Sequence, residues 1–265
     1  MNITIEKWRQ RSVLKQLILF GWEQALSCLF PVVIFASLAV TQYIPLPILP
    51  RYDWLLLICL FMQWMMVRSG METKDELKVI TLFHIIGLAL ELFKVHMGSW
   101  SYPEEGYSKF FGVPLYSGFM YASVASFLCQ AWRRLKVELI KWPPFWAVVP
   151  LAAAIYLNFF THHYFVDLRW WLSGLVIVIF WKSWVVYMVD GIRYRMPLSV
   201  SFVLIGFFIW VAENIATFFG AWQYPNQRDA WSLVHFGKVS SWLLLVIVSF
   251  LIVATLKQVK GKSAK

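Results

Sequence analysis

Apolar residues along the chain gather into runs too long for the strands of a water-soluble domain, separated by short polar connections. Runs suited to membrane-spanning helices cover residues 17–40, 54–67, 79–97, 110–131, 146–160, 170–189, 198–219 and 239–256, which predicts eight helices. The 54–67 run is the weakest, because its 14 residues make about 21 Å of helix against a hydrocarbon core of about 30 Å. It must extend at an end, thin the bilayer or be buried in a bundle.

The charges between the runs alternate loop by loop. One face takes Lys7, Arg9, Arg11 and Lys15, then Arg68, Lys74 and Lys78, then Arg133, Arg134, Lys136 and Lys141, then Arg193 and Arg195, and finally Lys257, Lys260, Lys262 and Lys265. The other face takes only Arg51, Lys109, Arg169 and Arg228, and Lys94, Lys182 and Lys238 fall within predicted helices. A 17 to 4 division is a positive-inside signal that places both termini in the cytoplasm of a bacterial cell membrane.

Composition agrees with this pattern. Sixty per cent of the 265 residues are apolar and 14% charged, with 16 Trp, 22 Phe, 11 Tyr and a formal charge of +10. The fold class expected is an all-α integral membrane protein. Aromatic and basic abundance could signal nucleic acid, but the basic residues are used up as topology determinants and no face concentrates a groove-reading motif, so no nucleic-acid partner is expected. Membrane lipids are the expected partners, with anionic headgroups at the cytoplasmic face among them; the oligomeric state is open. Ser37 and Ala39 follow a basic start as a signal-peptidase site would, yet the run is too long and holds Glu23 and Pro31, which favours a retained first helix. Cys28, Cys59 and Cys129 lie in predicted helices without paired spacing, so neither a disulfide nor a metal is expected of them.

An internal repeat organises the chain. Glu91, Gly98, Trp100, Tyr102 and Pro103 recur without a gap as Glu213, Gly220, Trp222, Tyr224 and Pro225, at a constant offset of 122 residues. Trp64 with Trp184, and Pro31 with Pro150, fall at offsets of 120 and 119. The simplest architecture is two four-helix repeats, residues 1–138 and 139–265, forming one membrane domain. Since four is even, the repeats run parallel about an axis along the membrane normal.

Helical spacing on the third run aligns His84, Gly87, Glu91, Lys94 and Gly98, and on the seventh Gly206, Glu213, Ala216 and Gly220. Small residues admit a neighbouring helix and a carboxylate avoids hydrocarbon, so both stripes should face the interior. Lys94 is three residues from Glu91, and Lys238 is the expected partner of Glu213. Glu91, Glu213, Lys94 and Lys238 are therefore the candidate catalytic residues. His84, His96, Trp100, Tyr102, Trp222, Tyr224 and His235 are candidate substrate-binding residues. The opposing reading makes the glutamates interhelical ties and the outer Trp and Tyr interface anchors or a lid. His162, His163 and Asp167 are weak candidates for a metal, and none is assigned; no cofactor is expected, and Walker, nucleophile-elbow and zinc-protease motifs are absent.

The repeated Glu to Gly, Trp, Tyr, Pro signature and the length resemble the uncharacterised bacterial multi-pass membrane family typified by YoaT. A more distant resemblance is to the integral-membrane lycopene cyclases and carotenoid hydratases, carried by Glu91, Gly98, Trp100, Tyr102 and Gly112, Val113, Pro114, with Pro103, Glu104, Glu105 echoing a Pro-x-Glu-Glu motif. The second half lacks Gly-Val-Pro and has His235, Phe236 and Gly237 nearby. The match covers about 25 residues of the first half. The two buried glutamates beside it make the leading expectation an enzyme that isomerises, cyclises or hydrates a lipid or isoprenoid by protonating a double bond, with Glu91 and Glu213 as acid and base. Two alternatives stand beside it: a proton- or cation-coupled transporter of a small solute, and a structural membrane protein without catalysis.

Overall fold

The computed structural model describes residues 13–44 and 46–263, with side chains to residue 254. Lys7, Arg9, Arg11 and Lys265, and the side chains of Lys257, Lys260 and Lys262, lie outside the described residues, and with them part of the charge pattern. The chain is mostly helical. In order it forms α1 (Val13–Ser27), α2 (Leu29–Tyr43), α3 (Arg51–Arg68), α4 (Lys74–His96), strands β1 (Lys109–Phe110) and β2 (Val113–Pro114), α5 (Ser117–Arg134), β3 (Glu138–Ile140), α6 (Phe145–Thr161), α7 (Arg169–Ile179), β4 (Trp184–Val189), β5 (Ile192–Pro197), α8 (Leu198–Phe218) and α9 (Lys238–Ser263).

Two of these, α4 and α8, are long and apolar enough to cross a membrane, and α1 with α2 makes a third if the bent pair is one span. The predicted 17–40 helix breaks at Cys28 with a bend of 69°. Pro31 accounts for it: a proline has no N–H, and its ring collides with the carbonyl four residues earlier, here Ser27, where α1 stops. The weak 54–67 run does extend at both ends, to Arg51 and Arg68.

Two further departures correct the all-α expectation. The 110–131 run gives up its first residues to a hairpin, β1 to β2, turned by Phe111 and Gly112 at φ 46° and 82°. The 170–189 run is helical only to Ile179. Its remainder, Trp184–Val189, is a strand paired antiparallel with both β3 and β5. The cause is legible after the fact: Asp190 and Gly191 turn with φ 47° and 78°, the Asp-Gly pair that two-residue hairpins favour, and β-branched and aromatic residues precede them. Lys182 accordingly sits exposed in the connection before β4 rather than in a helix, and Trp64 and Trp184 occupy a helix and a strand. The segment between residues 133 and 141 is likewise no free linker, since β3 joins the three-stranded sheet.

Packing gathers into two cores. One is built by α2, α3, α4 and α5, with Tyr102, Ala216 and Ala221. The other is built by α6, α7, α8, α9 and β4, with Leu128 and Cys129. Helix α5 serves both, because its Ser, Gly and Ala positions let neighbours come close. A Cβ on Gly118 would meet His84 Nδ1 at 2.7 Å, and one on Gly87 would meet Tyr121 Cδ2 at 2.5 Å, so each of α4 and α5 seats a ring of the other on a glycine. Between α8 and α9 the approach is to backbone, where the N of Leu243 is 3.0 Å from the ideal Cβ position of Gly206.

A buried polar cluster ties α3, α4 and α5 at the other end of the first core. Glu72 accepts from Ser126 Oγ at 2.5 Å and from Gln63, while Arg133 bonds Glu76 and the Met71 carbonyl. Burial holds the Glu72 carboxyl above the usual carboxylate range even though Ser126 and Gln63 pull it down.

Candidate functional site

Helices α4 and α8 end in the same way. Gly98 and Gly220 both adopt φ +67°, which a side chain disfavours, and each follows a last helical turn closed by a six-to-one bond. Ser99 N–H reaches Lys94 O at 2.9 Å, and Ala221 N–H reaches Ala216 O at 2.9 Å. This reversal sends the chain back over the helix it has left. Tyr102, eleven residues after Glu91, donates to its Oε2 at 2.8 Å, and Tyr224, eleven after Glu213, donates to its Oε1. Between the two returns, Ser101 and Gln223 pair antiparallel through two N–H to O bonds of 2.9 Å each. These two residues are themselves 122 apart.

Both tyrosines are strong, permanent donors. Burial first, and the adjoining carboxylate second, push each phenol well above its ordinary value. Glu91 is 4% exposed and takes two more bonds, from Trp100 Nε1 at 2.7 Å and Tyr121 Oη at 2.8 Å. Glu213 is 3% exposed and takes one more, from Trp242 Nε1 at 2.6 Å. Tyr121 on α5 and Trp242 on α9 carried no sequence signal beyond their place in the helix that follows each glutamate.

A cavity of about 370 Å³ opens beside the second carboxylate. Glu213, Trp100, Tyr121, Tyr224 and Trp242 line one side; Ile155, Leu244, Leu245 and Val248 give it an apolar wall. Lys94, Lys238, Arg169, Asp167, His162 and His163 cluster on it as well. The volume lies at the small end of the range for ligand pockets. Glu91 is not among its lining residues; it stands behind Trp100 and Tyr121, which are.

The lysines are not where helical spacing put them. Lys94 forms no ion pair with Glu91; its Nζ donates to Phe159 O at 3.1 Å and approaches His163 Nε2 at 2.9 Å and His162 Nε2 at 3.4 Å, above the Phe159 ring. Lys238 stands over the rings of Tyr224 and Trp100, 4.8 and 5.5 Å from their centroids. Burial, and then the Lys94 charge, hold both histidines below the usual imidazole value and so neutral. His162 bonds Asn158 O through Nδ1 at 3.0 Å, which leaves Nε2 as the acceptor facing Lys94. Asp167 is held at about 2: burial opposes ionisation, but Arg169 overrides it with its side chain and backbone N–H. Among the described residues no group of three metal-ligating side chains converges, so His162, His163 and Asp167 serve as partners of Lys94 and Arg169.

Three sequence candidates, His84, His96 and His235, stand elsewhere, and a fourth, Trp222, reaches the site only indirectly. His84 packs on Phe119 at 4.4 Å between ring centroids, wedged against Gly118. His96 is exposed at the end of α4, where the helix turns it away from the Glu91 face. His235 is exposed, its Nδ1 accepting from Gly237 N–H at 3.1 Å. Trp222 packs on the first core with its side chain hydrogen-bonded to Tyr224, so it reaches Glu213 only through that tyrosine and does not mirror Trp100.

A helical chain with membrane-length apolar helices, enclosing a cavity that joins an acid, two ammonium groups and an apolar wall, is the class that fold and site define. Comparison places it further. The chain belongs to DUF817, described as a protein of unknown function, whose model matches residues 16–250. It is 82% identical over 250 residues to the uncharacterized protein YoaT of Bacillus subtilis (strain 168), covering 94% of this chain and 95% of that protein. The family resemblance read from the Glu to Gly, Trp, Tyr, Pro signature is thereby borne out. No solved structure matches.

Proposed function

We propose that this chain is a multi-pass membrane enzyme that moves a proton to and from a lipid or isoprenoid substrate, with Glu213 as the exchanging group. One observation carries the reading: the cavity brings the Glu213 carboxylate against an apolar wall of Ile155, Leu244, Leu245 and Val248. A double bond seated there takes a proton at one carbon from Glu213 in its carboxylic acid form, which leaves a cation at the other carbon and Glu213 as the carboxylate. The π faces of Trp100, Tyr121 and Trp242 stabilise that cation. Loss of a neighbouring proton back to the carboxylate completes an isomerisation; capture of water, with its extra proton passing to the carboxylate, completes a hydration.

Glu91 has a different part. Held by three donors behind the cavity wall, it positions Trp100 and Tyr121. The reading takes the chain as two four-helix repeats in the membrane with both termini in the cytoplasm. The 122-residue signature and the identical helix ends at Gly98 and Gly220 support the repeat, and the 17 to 4 division of basic residues supports the orientation.

Lipid extracts of deletion and overexpression strains, compared by mass spectrometry, test the chemistry. The expected result is a species differing by one water or by isomeric form that disappears in Glu213→Gln at normal expression; an unchanged profile sinks the reading. Cysteine accessibility at the exposed Tyr107 and Leu233, in the loops that follow the two signatures, tests the topology, with labelling expected only from outside the cell.

A further inference from the structure

The cavity holds more positive charge than its own carboxylates pair. Arg169 is bound to Asp167. Neither Lys94 nor Lys238 forms an ion pair with any described residue, although Lys94 is buried with 4% exposure. Lys94 has turned its ammonium to a carbonyl and two imidazoles. Lys238 donates no hydrogen bond among the described residues and rests only on two aromatic faces. Three basic groups thus share the cavity with two carboxylates, Asp167 and Glu213, and an excess of positive charge in a partly desolvated space favours an anionic ligand.

We infer that the cavity takes the phosphate head of a single-chain amphiphile, received by the free ammonium of Lys238 and backed by Lys94 and Arg169. Donor number selects the head: a phosphate monoester is anionic near neutral pH and offers three strong acceptor oxygens, enough to meet Lys238, Lys94 and Arg169 together, where a carboxylate offers two. Shape selects the tail. The basic groups and the apolar wall of Leu244, Leu245 and Val248 line one space, so a ligand that satisfies both is polar at one end and aliphatic at the other. A volume of about 370 Å³ holds a head and the first part of one chain, and is too small for a two-chain phospholipid. This deepens the proposed function and rests on its assignment of the cavity as the substrate site.

The test is binding to the purified full-length protein in nanodiscs of zwitterionic lipid, followed by the fluorescence of the tryptophans, two of which, Trp100 and Trp242, line the cavity. Dodecyl phosphate, dodecanol, dodecyltrimethylammonium and inorganic phosphate are compared. Dodecyl phosphate is expected to bind at least about tenfold more tightly than dodecanol, the cationic chain not at all, and Lys238→Gln to lose about tenfold of the preference. Equal binding of phosphate and alcohol by the wild-type protein overturns the inference, and that comparison stands whether or not the variant folds. So does binding of inorganic phosphate without any response to dodecyl phosphate, which would make the site one for a free anion.

Glu213→Gln separates this inference from the chemistry. If it keeps dodecyl phosphate binding and loses the lipid product, both stand. If dodecyl phosphate fails to bind while Glu213→Gln still alters the lipid profile, the head assignment alone falls. Retained binding with an unchanged lipid profile removes the proton chemistry and leaves the head assignment in place.

Discussion

Around Glu91, three side chains converge on a carboxylate that lies behind the cavity wall; around Glu213, two donors hold a carboxylate that forms part of it. The local frame is shared down to the φ of the glycine and the eleven-residue return of the tyrosine. What differs is the company. Trp100 crosses to Glu91 while Trp222 packs into the first core, and Lys238 begins α9 over the rings of Tyr224 and Trp100, with no basic counterpart at the start of α5. A duplicated pattern of residues therefore does not duplicate a role. One carboxylate is fully occupied as a structural acceptor, and the other keeps access to a space that a ligand can enter.

That contrast is most directly broken by truncation. Glu91→Ala leaves three buried donors without an acceptor and is expected to cost about 4 kcal/mol, at roughly 1–3 kcal/mol for each unsatisfied group with incomplete additivity. Glu213→Ala should cost about half of that. Thermal and denaturant unfolding in micelles measures both, and equal losses would mean that the two sites are equivalent after all.

Arg51 sharpens the comparison at the glycine-capped ends of the helices. Its guanidinium donates to Leu38 O, Phe219 O, Gly220 O, Thr41 Oγ1 and Glu104, so a residue of the first half caps the carbonyl end of α8. Arg51→Met is expected to destabilise by about 3 kcal/mol, in keeping with loss of a buried charged partner, and hydrogen exchange should loosen the last turn of α8 before that of α4. Uniform loosening of both would contradict the assignment.

The two glycines predict a smaller split. Gly98→Ala places a side chain at φ +67° in open space and should cost about 1 kcal/mol. Gly220→Ala meets Gln42 Oε1 at 3.1 Å and Arg51 Nη1 at 3.3 Å, and should cost about 1 kcal/mol more because Arg51 is pinned. A Gly98 variant no more stable than its Gly220 counterpart would show that the cap does not fix Arg51.

The smallest effect is one of pH. Asp167 titrates at about 2 in the folded protein, against 3.8 ordinarily. A lowered carboxylate stabilises the fold above its unfolded value, and that contribution is lost as pH falls from about 4 towards 2. Asp167→Asn should flatten the acid limb of the melting profile in that window only. No change there would mean that the Arg169 pair is not formed in solution.

Much of this was legible before any coordinates. Seven of the eight apolar runs contain a helix near the expected place, and the run at 170–189 is helical over its first part. The repeat singles out Glu91, Tyr102, Glu213 and Tyr224, but helical spacing offers Lys94 and Lys238 as the carboxylates' partners; that the tyrosines return to them depends on the αL glycine and the path of the loop after it. The Asp190-Gly191 turn was also encoded, but an apolar run of Val, Ile, Trp and Tyr reads alike as a buried helix or a strand until its pairing partner is known. His96 and His235 were placed beside the glutamates by distance along the chain, which says nothing of the side of the helix or loop on which they point.

The sequence by itself determined the helical character, the family resemblance and the two glutamates that face the interior, because each follows from periodicity and short motifs. Only the tertiary structure decided which glutamate reaches a cavity and which basic groups share it. Lys94 meets His162 and His163 across a separation of 68 and 69 residues, and Tyr121 meets Glu91 across 30. Partners at such distances are chosen by how α4, α5, α6 and α9 pack, and it is the closeness allowed by Gly87, Gly118 and Gly206 that sets where the space between them remains open.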